Sequence, residues 1–269
     1  MKKYTGTIRK SKKQVYLEHG VIYNNGKILT PIGWTRELLK KGNSKTGEKV
    51  WTFSLLPGTA FYTSTVNGVE YTVKGTCICD CVGCYAKTGC YYFKSVIRSM
   101  LINTYLVNKH IEFVKAALTA QIKALGRIEI RIHAAGDFNT ENPEEYADMW
   151  KSILEENSIN IFDCWTYTKV KKYENLFNHI KNANIVKSVI PGVGVNYGKC
   201  GYIISTYKLL KRLGKRVYIC LCGIDPNKHC ENCSVCALYE YVLFIEHSTA
   251  YKAEEDPLYE ELKALALAQ

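Results

Sequence analysis

The chain has 269 residues, 47% of them hydrophobic and 23% charged, with a formal net charge of +11. That balance suits one large or two small globular domains with a sizeable core, and no stretch approaches the roughly 20 apolar residues needed to span a bilayer. The first ten residues are basic without an apolar core behind them, so we expect no secretory signal, no membrane partner and a cytoplasmic protein in which disulfides are rare.

Residues 1–50 are polar, rich in Lys, Gly and Asn, and read as an irregular or short-stranded N-terminal region. Lys2, Lys3, Arg9, Lys10, Lys12 and Lys13 form a basic arm without an acid, which suits a nucleic-acid partner. Solvated surface lysines are the plain alternative. Residues 50–56 and 69–73 read as strands, the second running into Gly75 and a cysteine-rich loop. Ile111, Val114, Leu118, Ile122 and Leu125 then fall on one helical face, and residues 127–133 alternate strictly. Asn142-Pro143 with two following acids opens a helix whose stripe is Tyr146, Met149, Trp150, Ile153 and Leu154. Further on we expect a strand at 161–168 and a helix near 174–181. An apolar run at 185–190 follows, closed by Pro191-Gly192, then a helix at 203–213 and a strand at 216–221.

Strands alternating with helices imply a parallel sheet with crossover helices. The fold class is therefore α/β, a partial or complete (β/α) barrel. Its expected parts are a basic N-terminal region at 1–50, a core at 51–219 and a Cys-rich metal-binding extension at 220–269. In strand 127–133, Ile128, Ile130 and Ile132 serve the helix-covered face. Glu129, Arg131 and His133 are expected opposite, where a barrel would point them into its lumen; an edge strand with one wet face is the alternative.

Ten of the twelve cysteines lie in two windows, 77–90 and 220–236. Disulfide frameworks spread cysteines along a chain, whereas metal sites cluster them. Cys77, Cys81 and Cys84 form a C-x3-C-x2-C run, and three such thiolates can hold a [4Fe–4S] cluster with one iron left open. Cys79 and Cys90 crowd the same loop, and zinc is the competing metal. The second window offers Cys230, Cys233 and Cys236 with Cys220 upstream, a four-thiolate set for a second cluster or a structural zinc; Cys222 is the rival upstream ligand.

The cysteine run followed by Tyr85-Ala86, the segment Arg131-Ile132-His133 with Ala135-Gly136-Asp137-Phe138, Tyr146, Trp150, Tyr167-Thr168-Lys169 and the terminal cysteines together resemble the radical S-adenosylmethionine (radical SAM) superfamily. They resemble more closely a family of phage and mobile-element proteins with radical-SAM-like motifs and unassigned activity. The resemblance covers roughly residues 50–240 and implies a barrel of radical SAM type. It also implies two [4Fe–4S] clusters, S-adenosylmethionine (SAM) as cofactor, an electron donor, and hydrogen abstraction from an unidentified substrate. In that reading Ala135, Gly136 and Asp137 contact the SAM amino group, while His133 and Arg131 line the pocket. The turn departs from the family in lacking a first glycine and in using Asp for Glu. Two other readings stand beside it: an iron–sulfur protein that binds nucleic acid without SAM chemistry, and a zinc-stapled accessory protein. A rolling-circle replication initiator needs a His-hydrophobic-His pair, which none of the six histidines forms.

Overall fold

The computed structural model of the chain describes residues 14–16, 22–24, 27–42, 49–80, 84, 86, 89–188, 197–221, 224–225, 233, 235–245 and 252–269. The N-terminal region is short-stranded. β1 (Gln14–Tyr16), β2 (Ile22–Asn24), β3 (Lys27–Leu29) and β4 (Thr35–Arg36) form an antiparallel sheet. Ile28, Leu38 and Leu39 lead from it into the main core, each at most 1% exposed. β5 (Lys40–Lys41) then pairs antiparallel with β6 (Val50–Phe53) at the edge of the central sheet.

A hairpin of β7 (Phe61–Val66) and β8 (Val69–Lys74) follows, an element whose first strand the sequence reading missed. Its turn, Asn67-Gly68, has both φ angles positive (52° and 78°), the condition of the tight turns that match strand twist. Two helices come next, α1 (Lys94–Lys109) and α2 (Ile111–Leu125), the latter burying the predicted stripe of Ile111, Val114, Leu118 and Ile122. β9 (Ile128–Ile132), α3 (Pro143–Glu156), β10 (Ile161–Thr168) and β11 (Ala183–Lys187) complete the first half. Pro143 stands at the start of α3 as expected, and Tyr146, Met149, Trp150, Ile153 and Leu154 are buried. Each such side chain contributes on the order of 1.5–3 kcal/mol on leaving water.

The central sheet runs β11-β10-β9-β6-β5, parallel except at β5. It is a mixed five-stranded sheet, and among the described residues its strands do not close into a complete barrel. Beyond it lie β12 (Tyr197–Gly198), α4 (Cys200–Arg212), β13 (Val217–Ile219), α5 (Val235–Leu238), β14 (Tyr241–Ile245) and α6 (Tyr259–Leu267). β14 pairs parallel with β12 and β13, and α4 and α6 cover this second sheet with a separate apolar cluster centred on Ile203, Leu243 and Leu262. No described helix is long and apolar enough to cross a membrane.

The helix expected near 174–181 is absent. Residues 171–173 make one 3-10 turn, and the chain continues through bonds from Leu176 N–H to the Tyr173 carbonyl, Asn178 to Asn175, and Ile180 to Phe177. Three asparagines at 175, 178 and 182 explain it, since such side chains compete with helical backbone bonding, and Asn182 takes a left-handed φ of 64°. Tyr173 and Phe177 pin the segment to the core instead.

The faces of β9 divide as its alternation predicts up to residue 132. Trp51, Ile130 and Cys164 lie in register on one face, Thr52, Arg131 and Trp165 on the other. Phe53 follows Trp51 on the first face and meets Trp150 of α3 edge-on at 5.5 Å.

Beyond the strand ends, the connections interlock through backbone contact. Gly136 has φ of +87°, and a Cβ there would meet Leu55 Cβ and Thr76 Oγ1, each at 2.7 Å. Gly136→Ala combines left-handed strain with overlap against a fixed turn. It should lower unfolding stability by about 2–4 kcal/mol, read as a reduced urea midpoint with unchanged slope.

Candidate functional site

The site forms where β6, β9 and β10 end. After Phe53 the chain turns out of the sheet and returns as the Gly75-Thr76-Cys77 segment, held along its whole length. Gly75 N–H donates to the Ala60 carbonyl at 2.8 Å, Thr76 N–H to Leu56 at 2.9 Å, and Cys77 N–H to Gly58 at 3.0 Å. A side chain at Gly75 would collide with the Gly58 and Pro57 carbonyls, so only glycine permits this approach. Asp80 fastens the next stretch by accepting from the Thr59 N–H and hydroxyl. The first cysteine of the run is thereby fixed at the carboxyl end of a parallel strand.

Asp137 ties the three strand ends together. It is 1% exposed. Its Oδ1 accepts from the Thr168 hydroxyl at 2.7 Å and from Phe138 N–H at 2.8 Å, and its Oδ2 accepts from Lys169 N–H at 2.9 Å. Its own N–H donates to Thr76 Oγ1 at 2.9 Å, beside Cys77. Burial pushes its carboxyl pKa up, while the Lys169 charge and the three donors oppose that shift. Ala135 is equally buried, with its carbonyl receiving Leu55 N–H at 2.9 Å. Asp137 thus braces the loops, and Gly136 allows the close packing on which the brace depends.

His133 does not share the Arg131 face, and that expectation is corrected. Its φ of 57° reverses the alternation as the strand ends. The ring enters an aromatic cage, 4.6 Å from Phe138 and 5.6 Å from Tyr146. Nε2 is hydrogen-bonded to the Tyr146 hydroxyl at 2.7 Å and Nδ1 to the Thr166 hydroxyl at 3.1 Å. Burial first, and the Lys169 charge second, push its pKa down to about 3.

Arg131 stays on the opposite face, its guanidinium 5.3 Å from the centre of the Tyr167 ring. The Tyr167 hydroxyl in turn contacts Cys236 Sγ at 2.9 Å. Asn184, in register with Trp165, donates to the carbonyls of Cys236 and Tyr239 at 2.7 and 2.8 Å. The second cysteine window therefore packs through α5 onto the polar face of the central sheet.

Cys77 is buried and Cys84 partly buried. Burial pushes the Cys77 thiol up to about 12, with the Asp137 charge and that of Cys84 adding to the rise and Lys169 opposing it. Cys79, Cys220, Cys233 and Cys236 are partly exposed. Cys81, Cys222 and Cys230 lie outside the described residues, as do the basic arm, Tyr85 and the 191–195 turn. Among the described residues no group of three or more His, Cys, Asp or Glu side chains is arranged to hold a metal ion. Sequence reasoning missed Thr76 and named Thr168 only as part of the Tyr167-Thr168-Lys169 segment, without a role. Their signals were positional only: a threonine before the first cysteine and a threonine ending a strand.

A family model described as gene product 88 matches residues 36–190, more than half of the chain. The match takes in Cys77 to Cys84, Asp137 and Lys169, and stops short of the second cysteine window. No curated protein and no solved structure shows a significant match. The resemblance to the radical SAM superfamily is corrected by this finding, because the family that matches is a different one and no radical SAM model does. The physical reason is that a three-cysteine spacing and a Gly-acid turn are short patterns, and Asp137 meets the needs of a loop brace without any cofactor.

The site makes two measurable demands on stability. The unfolded histidine binds a proton below its ordinary pKa near 6.5, whereas folded His133 stays neutral down to about pH 3. Its contribution is therefore complete above pH 6.5 and is lost as pH falls from there toward 3. The slope approaches about 1.4 kcal/mol per pH unit for one proton. Subtracting the urea-derived pH profile of His133→Asn, a residue that tolerates left-handed φ, should isolate this slope. Asp137→Asn turns an amide NH2 toward donors that need an acceptor. A loss of about 1–3 kcal/mol is expected, with faster amide exchange at Phe138 and Lys169.

Proposed function

The chain belongs to the gene product 88 family, and we propose that it is an iron–sulfur protein with an open cluster position at the carboxyl edge of its central sheet. Cys77, Cys81 and Cys84 would hold the first [4Fe–4S] cluster. Cys220, Cys230, Cys233 and Cys236 would hold a second, with zinc the rival there. The observation that carries this reading is the placement of Cys77. It is a buried thiol clamped by backbone bonds at a strand end, close enough to Cys84 for their charges to interact.

The donor set suits iron because thiolates are soft ligands, and a metal holds a thiol deprotonated where burial alone opposes it. When bound, such a cluster supplies one electron and an open iron that can chelate an amino acid carboxylate such as that of SAM. The protein's own part is to keep this edge rigid and to aim charge at it. The Lys169 charge favours the Cys77 thiolate, and Asp137 holds the β9 and β10 exits against Thr76. Arg131 is the residue on the polar face suited to an anionic group of a ligand. The parallel run β6-β9-β10-β11, with α3 meeting its apolar face through Phe53 and Trp150, fits an arc of a (β/α) barrel, the architecture we propose beyond the mixed sheet.

Protein purified without oxygen should be brown and hold iron and sulfide for two clusters. Cys77→Ala with Cys84→Ala should remove about half the iron, and the triple change at Cys230, Cys233 and Cys236 the other half. Reduced protein given SAM should release 5′-deoxyadenosine and methionine. A colourless protein with stoichiometric zinc overturns the reading. A cluster whose spectrum ignores SAM leaves an iron–sulfur protein that binds nucleic acid, for which the net charge of +11 is the support.

A further inference from the structure

A cleft of about 490 Å³, lined by no described cysteine, lies between β4–β5, the first half of α1 and the polar face of β6 and β9. That volume falls within the roughly 300–1,000 Å³ of small-molecule sites. Four cations line it, Arg36, Lys40, Lys41 and Arg131, and no described carboxylate does. Thr52, Ser54, Ser95, Ser99 and Asn103 and the rings of Trp34 and Tyr91 supply the rest of the polar and aromatic wall.

Arg36 is the telling residue. It is 5% exposed, yet its hydrogen bonds go only to neutral acceptors: Nε to the Glu37 carbonyl at 3.2 Å, Nη1 to the Ser99 carbonyl at 2.9 Å and Nη2 to the Ser99 hydroxyl at 2.6 Å. A guanidinium has five donors, so two remain. Its Cζ also lies over the Trp34 ring, 5.1 Å from the ring centre. The adjacent acid, Glu37, acts on Arg36 through its charge but pairs its carboxylate with Lys40 at 3.0 Å. A buried charge without a carboxylate partner is costly unless an anion completes it. Burial lowers the Arg36 pKa to about 10, and the Glu37 charge only partly opposes that shift.

We propose that this cleft binds a nucleoside phosphate, with the phosphate on Arg36 and the neighbouring lysines and the base against the aromatic wall. Several converging cations suit a dianion better than a single carboxylate. A rigid guanidinium fork beside hydroxyl donors matches phosphate oxygens. The ring surface of Trp34 and Tyr91 favours a ligand carrying a planar base over bare phosphate. None of Cys77, Cys79 and Cys84 lines the cleft; Arg131 is the residue it shares with the ligand edge proposed above, so the phosphate is assigned to Arg36 and the lysines at the far wall.

Calorimetric titration of the full chain with adenosine 5′-monophosphate, inorganic phosphate and adenosine tests it. Saturable binding of the monophosphate, at least tenfold tighter than either fragment and weakened by salt, is expected. Arg36→Met and Lys41→Glu should each weaken it at least tenfold. Lys41 is exposed, so Lys41→Glu should keep the wild-type melting temperature even if Arg36→Met perturbs the fold. Iron content measured on both variants should match wild type, separating this site from the cluster. Absence of saturable binding at millimolar ligand, or binding indifferent to Lys41→Glu, overturns the proposal. Phosphate binding as tightly as the monophosphate overturns the assignment of a nucleoside.

Discussion

A single buried carboxylate organises the working edge of this protein. Asp137 receives a hydroxyl from β10, a backbone N–H from the residue after β10 and another from its own turn, while its N–H engages Thr76 of the cysteine loop. Burying a carboxylate is unfavourable, and only convergence of several donors makes the arrangement tenable. The consequence is mechanical. Three segments far apart in sequence are held in one register, and Cys77 inherits its position from that register.

The same edge separates two environments. On the helix-covered side, His133 is neutral and enclosed by Phe138, Tyr146 and Thr166. On the polar side, Arg131, Tyr167 and Cys236 make a continuous chain of contacts that links the central sheet to the second cysteine window. Lys169 sits at the boundary, its charge acting on Cys77, Asp137 and His133 together. One cation thus biases a thiol, a carboxyl and an imidazole whose pKa values burial drives in different directions.

Alternation in 127–133 and the stripes of α2 and α3 were legible because each reports a strictly local period against a flat or cylindrical surface. Cys77 and Asp137 were legible as residues of interest from their motifs, but motif length misled the choice of family. The segment 174–181 carried a helical apolar spacing, and its asparagines outweighed it. His133 followed the strand pattern in sequence and left it in space, since a left-handed φ at the last position rotates the side chain to the other face.

What the sequence by itself determined is therefore what depends on neighbours within a few residues: the α/β rhythm, the apolar faces and the clustering of cysteines. Only the tertiary structure decided the partners of Asp137, the cage around His133, the contact of Tyr167 with Cys236 and the cationic cleft around Arg36. Each of these depends on residues far apart in the chain, from 13 positions for His133–Tyr146 to 69 for Tyr167–Cys236. Such contacts are set by how strand ends and loops meet in three dimensions, and no periodicity along the chain encodes that meeting.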